Sequence, residues 1–323
     1  MARPMTAQPR PTSAIQPVFP HVLDATIVSH FRLCQYKMMI EHVLGYRPKA
    51  PNIHLHFGGC LAKGLEIARR AFYLHQKQPH QCLADGVRAI FTEWGDWPVR
   101  IEEGKWTERN KSLEACVSSL ALYLEKWPLG IEPARPIRTA TGAPAIEIVH
   151  PIPIPDVPVH PVTGRRLYYA IRADMVVEMF PTGWKMGFDD KSSGTSIDSS
   201  WHDKFRLRNQ FLGYTWGLRQ LGVPVKGIVI RGVAPLSDRI ELVETMVLPT
   251  DMQIDRWLRM LKITVVEMVN CWKTGLWKWD FADGCTAFNR PCEYMKLCLA
   301  NDPMAFIDTD YHVDRWDPLE QRG

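Results

Sequence analysis

RLYYAIRADMVVEMF (residues 166–180), PTG (181–183) and WKMGFDDK (184–191) follow one another without interruption. The first run is β-branched and aromatic, which predicts a strand of about a dozen residues. Pro181, Thr182 and Gly183 are turn residues, and the last run predicts a second strand, so the two form a hairpin. Strand side chains alternate, which puts Asp189 and Lys191 on one face and turns Asp190 away. A hairpin can bring Asp174 opposite that face. The flanks, MVV after Asp174 and KMGF before Asp189, are apolar, as expected if the acids emerge from a buried sheet.

Outward from the hairpin the patterns are mixed. DKFRLRNQFLGYTWGLRQLG predicts one helix ended by Gly222 and Pro224, and VKGIVIRGV and RIELVETMVL predict two more strands. A long helix is expected over about 251–274. On the N-terminal side helices are expected over 24–46 from an Asp24 cap, from Gly58 or Gly59 through LAKGLEIARRAFYLHQ, and over about 81–94 and 110–127. AIEIVHPIPIP, within a proline-studded segment, predicts extended chain or an edge strand. The order is a helical N-terminal half, then β–β–β–α–β–β, then a helix and a cysteine loop. We read this as α/β, with a mixed central sheet between helices.

Asp174 and Asp189 on neighbouring strands are a donor set for a hard ion such as Mg²⁺ or Mn²⁺. Such an ion polarises a phosphoryl oxygen and lowers the pKa of a bound water, and Lys191 supplies a compact positive charge beside it. Acids at strand ends with a nearby lysine also occur on solvated surfaces. Downstream, Gln210 and Tyr214 sit four apart and share a helix face.

Ile171-Arg172-Ala173-Asp174, then Phe188-Asp189-Asp190-Lys191-Ser192, then Gln210-x-x-x-Tyr214 resemble the motifs of the RecB-like PD-(D/E)XK nuclease superfamily. The resemblance implies a restriction-endonuclease-like core and a metal-dependent deoxyribonuclease, in particular an exonuclease of recombination, repair or phage replication. It implies Asp174 and Asp189 as metal ligands, Lys191 as the catalytic lysine, and Gln210 and Tyr214 as active-site supports. Glu147 resembles the glutamate often found on the strand before the hairpin; a solvated edge residue is the other reading. Asp190 and Ser192 stand where the family often has Tyr and Thr. Phe57-Gly58-Gly59-Cys60-Leu61-Ala62 resembles the family's Phe-Gly-x-x-x-His helix, with Ala62 in the place of the metal-binding histidine. Glu66, one turn further on the same face, is the candidate replacement ligand.

The chain has eight cysteines: Cys34, Cys60, Cys82, Cys116, Cys271, Cys285, Cys292 and Cys298. Cys285-x6-Cys292-x5-Cys298 places three thiols within fourteen residues, a wider spacing than a zinc knuckle. Cys34, in SHFRLCQYKMMIEHVLGY, resembles the N-terminal cysteine of the superfamily's iron–sulfur branch, which includes AddB and the exonucleases of CRISPR adaptation. The resemblance implies that Cys34, Cys285, Cys292 and Cys298 hold a [4Fe–4S] cluster that staples the ends of the nuclease domain together. Residues 1–20 then read as a disordered lead-in, 21–300 as a single nuclease domain closed by its terminal cysteines, and 301–323 as a tail. Cys60, Cys82 and Cys116 read as core residues of helices, and Cys271 as a reserve ligand on the last helix.

Net charge is +4 over 323 residues, so any grip on DNA must come from local basic patches. Lys204, Arg206 and Arg208, with His202, are the candidate patch for phosphates; Arg206 and Gln210 can share a helix face. No apolar run is long enough to span a bilayer and the N-terminus has no signal-like core, so we expect an intracellular, cytoplasmic protein, in the host cytoplasm if phage-encoded. DNA ends or single strands are the expected substrates, with recombination or replication proteins as further partners. Two rivals stay open: a non-catalytic DNA-binding or scaffold protein that keeps the fold and the cluster, and a protein stapled by zinc.

Overall fold

The computed structural model describes residues 16–50, 52–97, 110–131, 133–281, 283–287 and 291–320. The lead-in expected over 1–20 therefore lies, up to residue 15, outside the described residues. The chain divides into two compact units: a sheet unit of Asn52–Pro155, Tyr168–Lys262 and Leu319–Gly323, and a terminal unit of Met1–Pro51, Asp156–Leu167 and Ile263–Pro318.

The sheet unit opens with α1 (Ile53–Tyr73), α2 (Pro79–Trp94) and α3 (Leu113–Lys126). Helix α1 begins before the expected Gly58 or Gly59, because the Asn52 side chain accepts from the N–H groups of His54 and Leu55 and caps it there. Ser112 caps α3 by accepting from Ala115 N–H at 3.1 Å. Helices α1 and α2 meet at two glycines: a Cβ on Gly86 would lie 2.7 Å from the Gly64 carbonyl oxygen, so neither position has room for a side chain. Phe57, Cys60, Leu65, Ile90, Cys116 and Leu120 fill the space between the three helices. Cys60, Cys82 and Cys116 are buried core residues, as the helical pattern predicts.

The strands follow: β1 (Ala134–Pro136), β2 (Ile146–Pro153), β3 (Tyr168–Met179) and β4 (Trp184–Ser192), then helices α4 (Ser199–Asp203) and α5 (Asn209–Gln220), then β5 (Gly227–Pro235), β6 (Ile240–Val247) and α6 (Asp251–Thr274). Strands β3 and β4 form the predicted antiparallel hairpin, with Met175 opposite Phe188. Gly183 closes its turn at φ +69°, donating its N–H to the Met179 carbonyl at 2.8 Å. Strands β1 and β2 both pair antiparallel with β3, β5 pairs parallel with β4, and β6 closes antiparallel on β5. The result is the mixed sheet flanked by helices that the sequence order predicts. Every residue of β5 is buried, as suits a strand between covered faces.

The terminal unit joins the two ends of the chain. Its helix Ala25–Leu33 is capped by Asp24, whose carboxylate accepts from Ile27 N–H at 2.8 Å. The single helix expected over 24–46 does not form. Cys34 is extended (φ −157°, ψ 114°), a short helix Gln35–Met38 follows, and Met39–Val43 is a π-helical turn. Tyr46–Pro48 then pairs antiparallel with Tyr311–Val313. Ile40, Tyr46, Tyr294, Leu297, Ile307 and Tyr311 pack together, and Tyr294 donates its hydroxyl to the Tyr46 carbonyl at 2.8 Å. The segment set apart as a tail thus contributes helix Met304–Asp310 and a strand to this core.

Candidate active site

Strand alternation divides the Asp189–Asp190–Lys191 run as predicted. Asp189 is 2% exposed and points with Lys191 toward α5. Gln210 Nε2 donates to Asp189 Oδ1 at 2.9 Å and to the Tyr214 hydroxyl oxygen at 3.1 Å, so Gln210 links Asp189 to Tyr214, one turn on along α5. Lys191 Nζ lies 2.5 Å from Asp189 Oδ2. That contact, a charge-assisted pair, favours the charged form of Asp189 against the burial that raises its pKa.

Asp190 points to the other face. Arg69 Nη1 of α1 lies 2.7 Å from Asp190 Oδ2, and Tyr123 of α3 donates its hydroxyl to Oδ1 at 2.7 Å. The Tyr123 oxygen in turn accepts from Arg69 at 2.8 Å and from Arg231 at 3.3 Å. Burial would raise the Asp190 pKa, but Arg69, Tyr123 and Arg231 outweigh it and hold the carboxyl below its ordinary value. This network fastens the hairpin to the helices. Asp190 is legible in the sequence as the inward-turned neighbour, but its partners Arg69, Tyr123 and Arg231 come from elements with no local signal linking them.

Asp174 faces Asp189. Burial, then the charges of Asp189, Asp190 and Glu147, hold its carboxyl well above the usual carboxylate range, against the pull of Lys191. The register of β2 on β3, with Ile146 opposite Met175 and Ile148 opposite Ala173, places Glu147 across from Asp174. Glu147 takes φ +52°, a left-handed conformation that costs a non-glycine residue about 1–3 kcal/mol. Burial, then the nearby Glu66 carboxylate, pushes its pKa up to about 7. Glu147 is thus a member of the acidic group and not a solvated edge residue. Glu66 reaches the same neighbourhood, but Lys63 Nζ at 3.3 Å and Arg70 Nε at 2.8 Å both pair with its carboxylate. Ala62, where the family pattern has histidine, is exposed.

The basic patch differs from expectation. One continuous helix was predicted through residues 203–222; instead α4 ends at Asp203, and Lys204, Arg206 and Arg208 lie in the exposed turn before α5. Arg206 therefore shares no helix face with Gln210, and it pairs with Asp203 Oδ1 at 3.4 Å. Lys204 Nζ sits over the Trp201 and Phe205 rings at 5.2 and 5.0 Å, and Arg208 over Phe205 at 5.7 Å. Of the three, Arg208 lies close enough to favour the charged form of Asp189.

In the terminal unit, Cys34, Cys285, Cys292 and Cys298 lie near enough for their thiols to influence one another electrostatically. Burial, then the thiols of Cys292, Cys34 and Cys285, pushes the Cys298 pKa up to about 11. Cys292 donates its N–H to the Cys285 carbonyl at 2.8 Å, which folds the late cysteine segment back on itself. Cys34 stands at the helix break with extended backbone, its N–H donating to the His30 carbonyl at 2.8 Å and its carbonyl accepting from Met38 N–H at 3.2 Å. Cys271, the reserve ligand, is buried on α6 and its thiol lies 3.4 Å from Gln35 Oε1.

No protein-family model matches the chain, and no curated protein matches it in sequence. Solved structures similar to it include the following two. One is SSO0001, at 18% identity over 65% of this chain and 74% of that one, with a TM-score of 0.28. The other, from Eubacterium rectale, is provisionally named an exonuclease; the identity is 14% over 87% of this chain and 94% of that one, with a TM-score of 0.43. Among the described residues no helix is long and apolar enough to cross a membrane.

Proposed function

We propose that the chain is a divalent-metal-dependent deoxyribonuclease of the RecB-like kind. The observation that carries this reading is the strand register that sets Glu147 across from Asp174 and Asp174 across from Asp189, with Lys191 paired to the buried Asp189 carboxylate at 2.5 Å. Burial raises the pKa of all three carboxyls, and neighbouring acids add to it: Asp189, Asp190 and Glu147 at Asp174, Asp190 at Asp189, and Glu66 and Asp190 at Glu147, an arrangement that a bound cation relieves. The donors are all oxygens, which suits Mg²⁺ or Mn²⁺. Such an ion supplies polarisation of a phosphoryl oxygen and a more acidic bound water.

The chain's own residues do the rest. Gln210 orients Asp189 and is itself backed by Tyr214. Lys191 brings a cation to the mouth of the site, where charge develops on a phosphoryl group under attack. Arg208 and Lys204, exposed beside α5, would position the phosphate backbone.

We further propose that Cys34, Cys285, Cys292 and Cys298 hold a [4Fe–4S] cluster. The mutual electrostatic influence of the four thiols supports this, since iron–sulfur clusters are bound by four thiolates brought together from separate segments.

The deciding assay uses end-labelled linear single- and double-stranded DNA and circular DNA, with Mg²⁺, Mn²⁺ or EDTA. Metal-dependent loss of linear DNA with circles intact supports an exonuclease. Retention of DNA without cleavage under any metal would favour the non-catalytic reading, to which the exposed Ala62 lends itself.

A further inference from the structure

A second constellation lies in the terminal unit, formed by residues that the nuclease reading does not use. His30 is on helix Ala25–Leu33, and Glu41 and His42 are on the π-helical turn Met39–Val43. Their ligand atoms all lie within 4.8 Å of one another. His30 Nδ1 is 3.0 Å from His42 Nε2 and 3.0 Å from Glu41 Oε2, and His42 Nε2 is 3.9 Å from Glu41 Oε1. Glu41 and His42 are 2% and 7% exposed.

Hydrogen bonding cannot satisfy this group. A single proton on His30 Nδ1 can point well at His42 Nε2 or at Glu41 Oε2, but not at both. Whichever it serves, another pair of lone pairs is left facing inward. Glu41 Oε2 is a buried atom with no aligned hydrogen-bond partner among the described residues, while His42 Nδ1, also unpartnered, lies on the far side of its ring from the group. A cation, unlike a proton, accepts several lone pairs at once. An ion about 2.0–2.1 Å from each donor sets the donors roughly 3–3.4 Å apart, close to the two 3.0 Å spacings from His30; His42 and Glu41 stand wider, within 4.8 Å, and would close by a side-chain adjustment on the ion.

We propose that His30, Glu41 and His42 form a binding site for one divalent transition ion such as Zn²⁺. Two imidazole nitrogens and one carboxylate oxygen are the donor set of borderline ions, in contrast to the all-oxygen group on the sheet. His42 presents Nε2 to the group, within reach of His30 Nδ1 at 3.0 Å. Arg47 pairs with Glu41 Oε1, which leaves Oε2 for the ion. Lys37 lies 3.9 Å from Oε2 but is paired at 2.8 Å with Glu293, so its charge is offset. π-Helical turns recur at functional sites because the extra residue re-aims side chains; here the turn presents consecutive residues, Glu41 and His42, toward His30. The ion would join the elements on either side of Cys34 and so fix the backbone of that residue. This site is independent of the nuclease reading.

The test uses the full chain and Zn²⁺ alone as probe, with excess Mg²⁺ present to occupy the oxygen site. One equivalent of Zn²⁺ should bind, and its X-ray absorption should show a nitrogen and oxygen shell with imidazole scattering. His42→Ala and Glu41→Gln should each weaken that binding by at least the roughly 10- to 100-fold that loss of an outer-shell partner already costs. Neither should change the iron content or thiolate absorbance of the cysteine cluster. A sulfur-containing shell, loss of the ion in Cys34→Ser but not in His42→Ala, or no stoichiometric binding would each overturn the proposal. Should His42→Ala not fold, the absorption spectrum of the unmodified protein decides by itself.

Discussion

Asp174 Oδ2 accepts a 2.7 Å hydrogen bond from the backbone N–H of Asp190. The backbone of one strand thereby orients the carboxylate of its neighbour, while the Asp190 side chain is held on the opposite face by Arg69. Asp174→Asn keeps an acceptor for this bond and loses only the charge. Because the removed charge is buried among like charges, the metal-free protein should melt no lower than the unmodified one. Cleavage, however, should fall about 10²-fold or more, as it should in Asp189→Asn and Lys191→Ala. Rates on end-labelled DNA together with thermal melts check both halves. Undiminished cleavage by Asp189→Asn would remove the site from the sheet.

The buried pair Arg69–Asp190 makes a separate prediction about stability. Replacing Arg69 by Met leaves the Asp190 carboxylate buried beside Tyr123 without its ion partner. Such removals cost about 3–5 kcal/mol, whereas replacing both partners costs much less. Urea unfolding of Arg69→Met, Asp190→Asn and the double variant reads this directly. Additive losses would show that the two side chains do not act as a pair.

Glu147 should make the metal-free protein less stable as pH rises. Its folded pKa of about 7 lies above the ordinary 4.5, so the folded state holds the proton more tightly than the unfolded one. The stabilisation is complete below pH 4.5 and is lost as pH climbs to about 7, on the order of 3 kcal/mol at most. Glu147→Gln should flatten this part of the profile. Saturating Mn²⁺ should reverse its slope, since the ion takes the place of the proton. A flat profile in unmodified metal-free protein would contradict the assigned environment.

The hairpin, its turn and the long helix Asp251–Thr274 were legible because period-two alternation, turn residues and an apolar stripe each have a local signature. So was the pairing of Gln210 with Tyr214, four residues apart on one helix. Boundaries set by single side chains were not: Asn52 starts α1 about a turn early, and Cys34 interrupts a segment whose apolar pattern reads as continuous helix. Arg206 was misplaced for the same reason, since helical periodicity carries through a turn that the backbone breaks. The partners of Asp190 and the His30–Glu41–His42 group are tertiary or depend on a π-helical turn, and a period of 3.6 residues does not show them.

Four cysteines lie near one another in the terminal unit, three are buried between helices of the sheet unit, and Cys271 is buried on α6 beside Gln35. Protein prepared without oxygen should be brown, with about four irons per chain. Cys34→Ala, Cys285→Ala, Cys292→Ala and Cys298→Ala should each bleach it. Cys82→Ala, in the apolar space between helices, should leave iron and colour unchanged. Stoichiometric zinc in a colourless protein would replace the cluster with a zinc staple.

The last prediction separates the two glutamates that stand closest to the acidic pair. Glu66 is held by Lys63 and Arg70, so drawing it onto an ion breaks two existing ion pairs. Glu147 has no such cost: it lies across from Asp174 by register, and burial and repulsion keep it protonated near neutral pH. Its binding to an ion releases that proton, so the affinity contributed by Glu147 should grow as pH rises toward about 7 and level off above it. Glu147→Gln should therefore raise the Mn²⁺ concentration needed for half-maximal cleavage by about tenfold or more, the scale on which even outer-shell losses act. Glu66→Gln should shift it much less, because the amide removes a charge that Lys63 and Arg70 already balance. Ala62→His, placed one turn before Glu66, then has an oxygen site to join and should lower the Mn²⁺ requirement of Glu147→Gln. Metal titrations of cleavage by the three variants rank the candidates. Equal shifts for Glu66→Gln and Glu147→Gln would mean that the Lys63 and Arg70 pairs yield to the ion, and overlapping curves for Glu147→Gln and unmodified protein would leave the site with Asp174 and Asp189 alone.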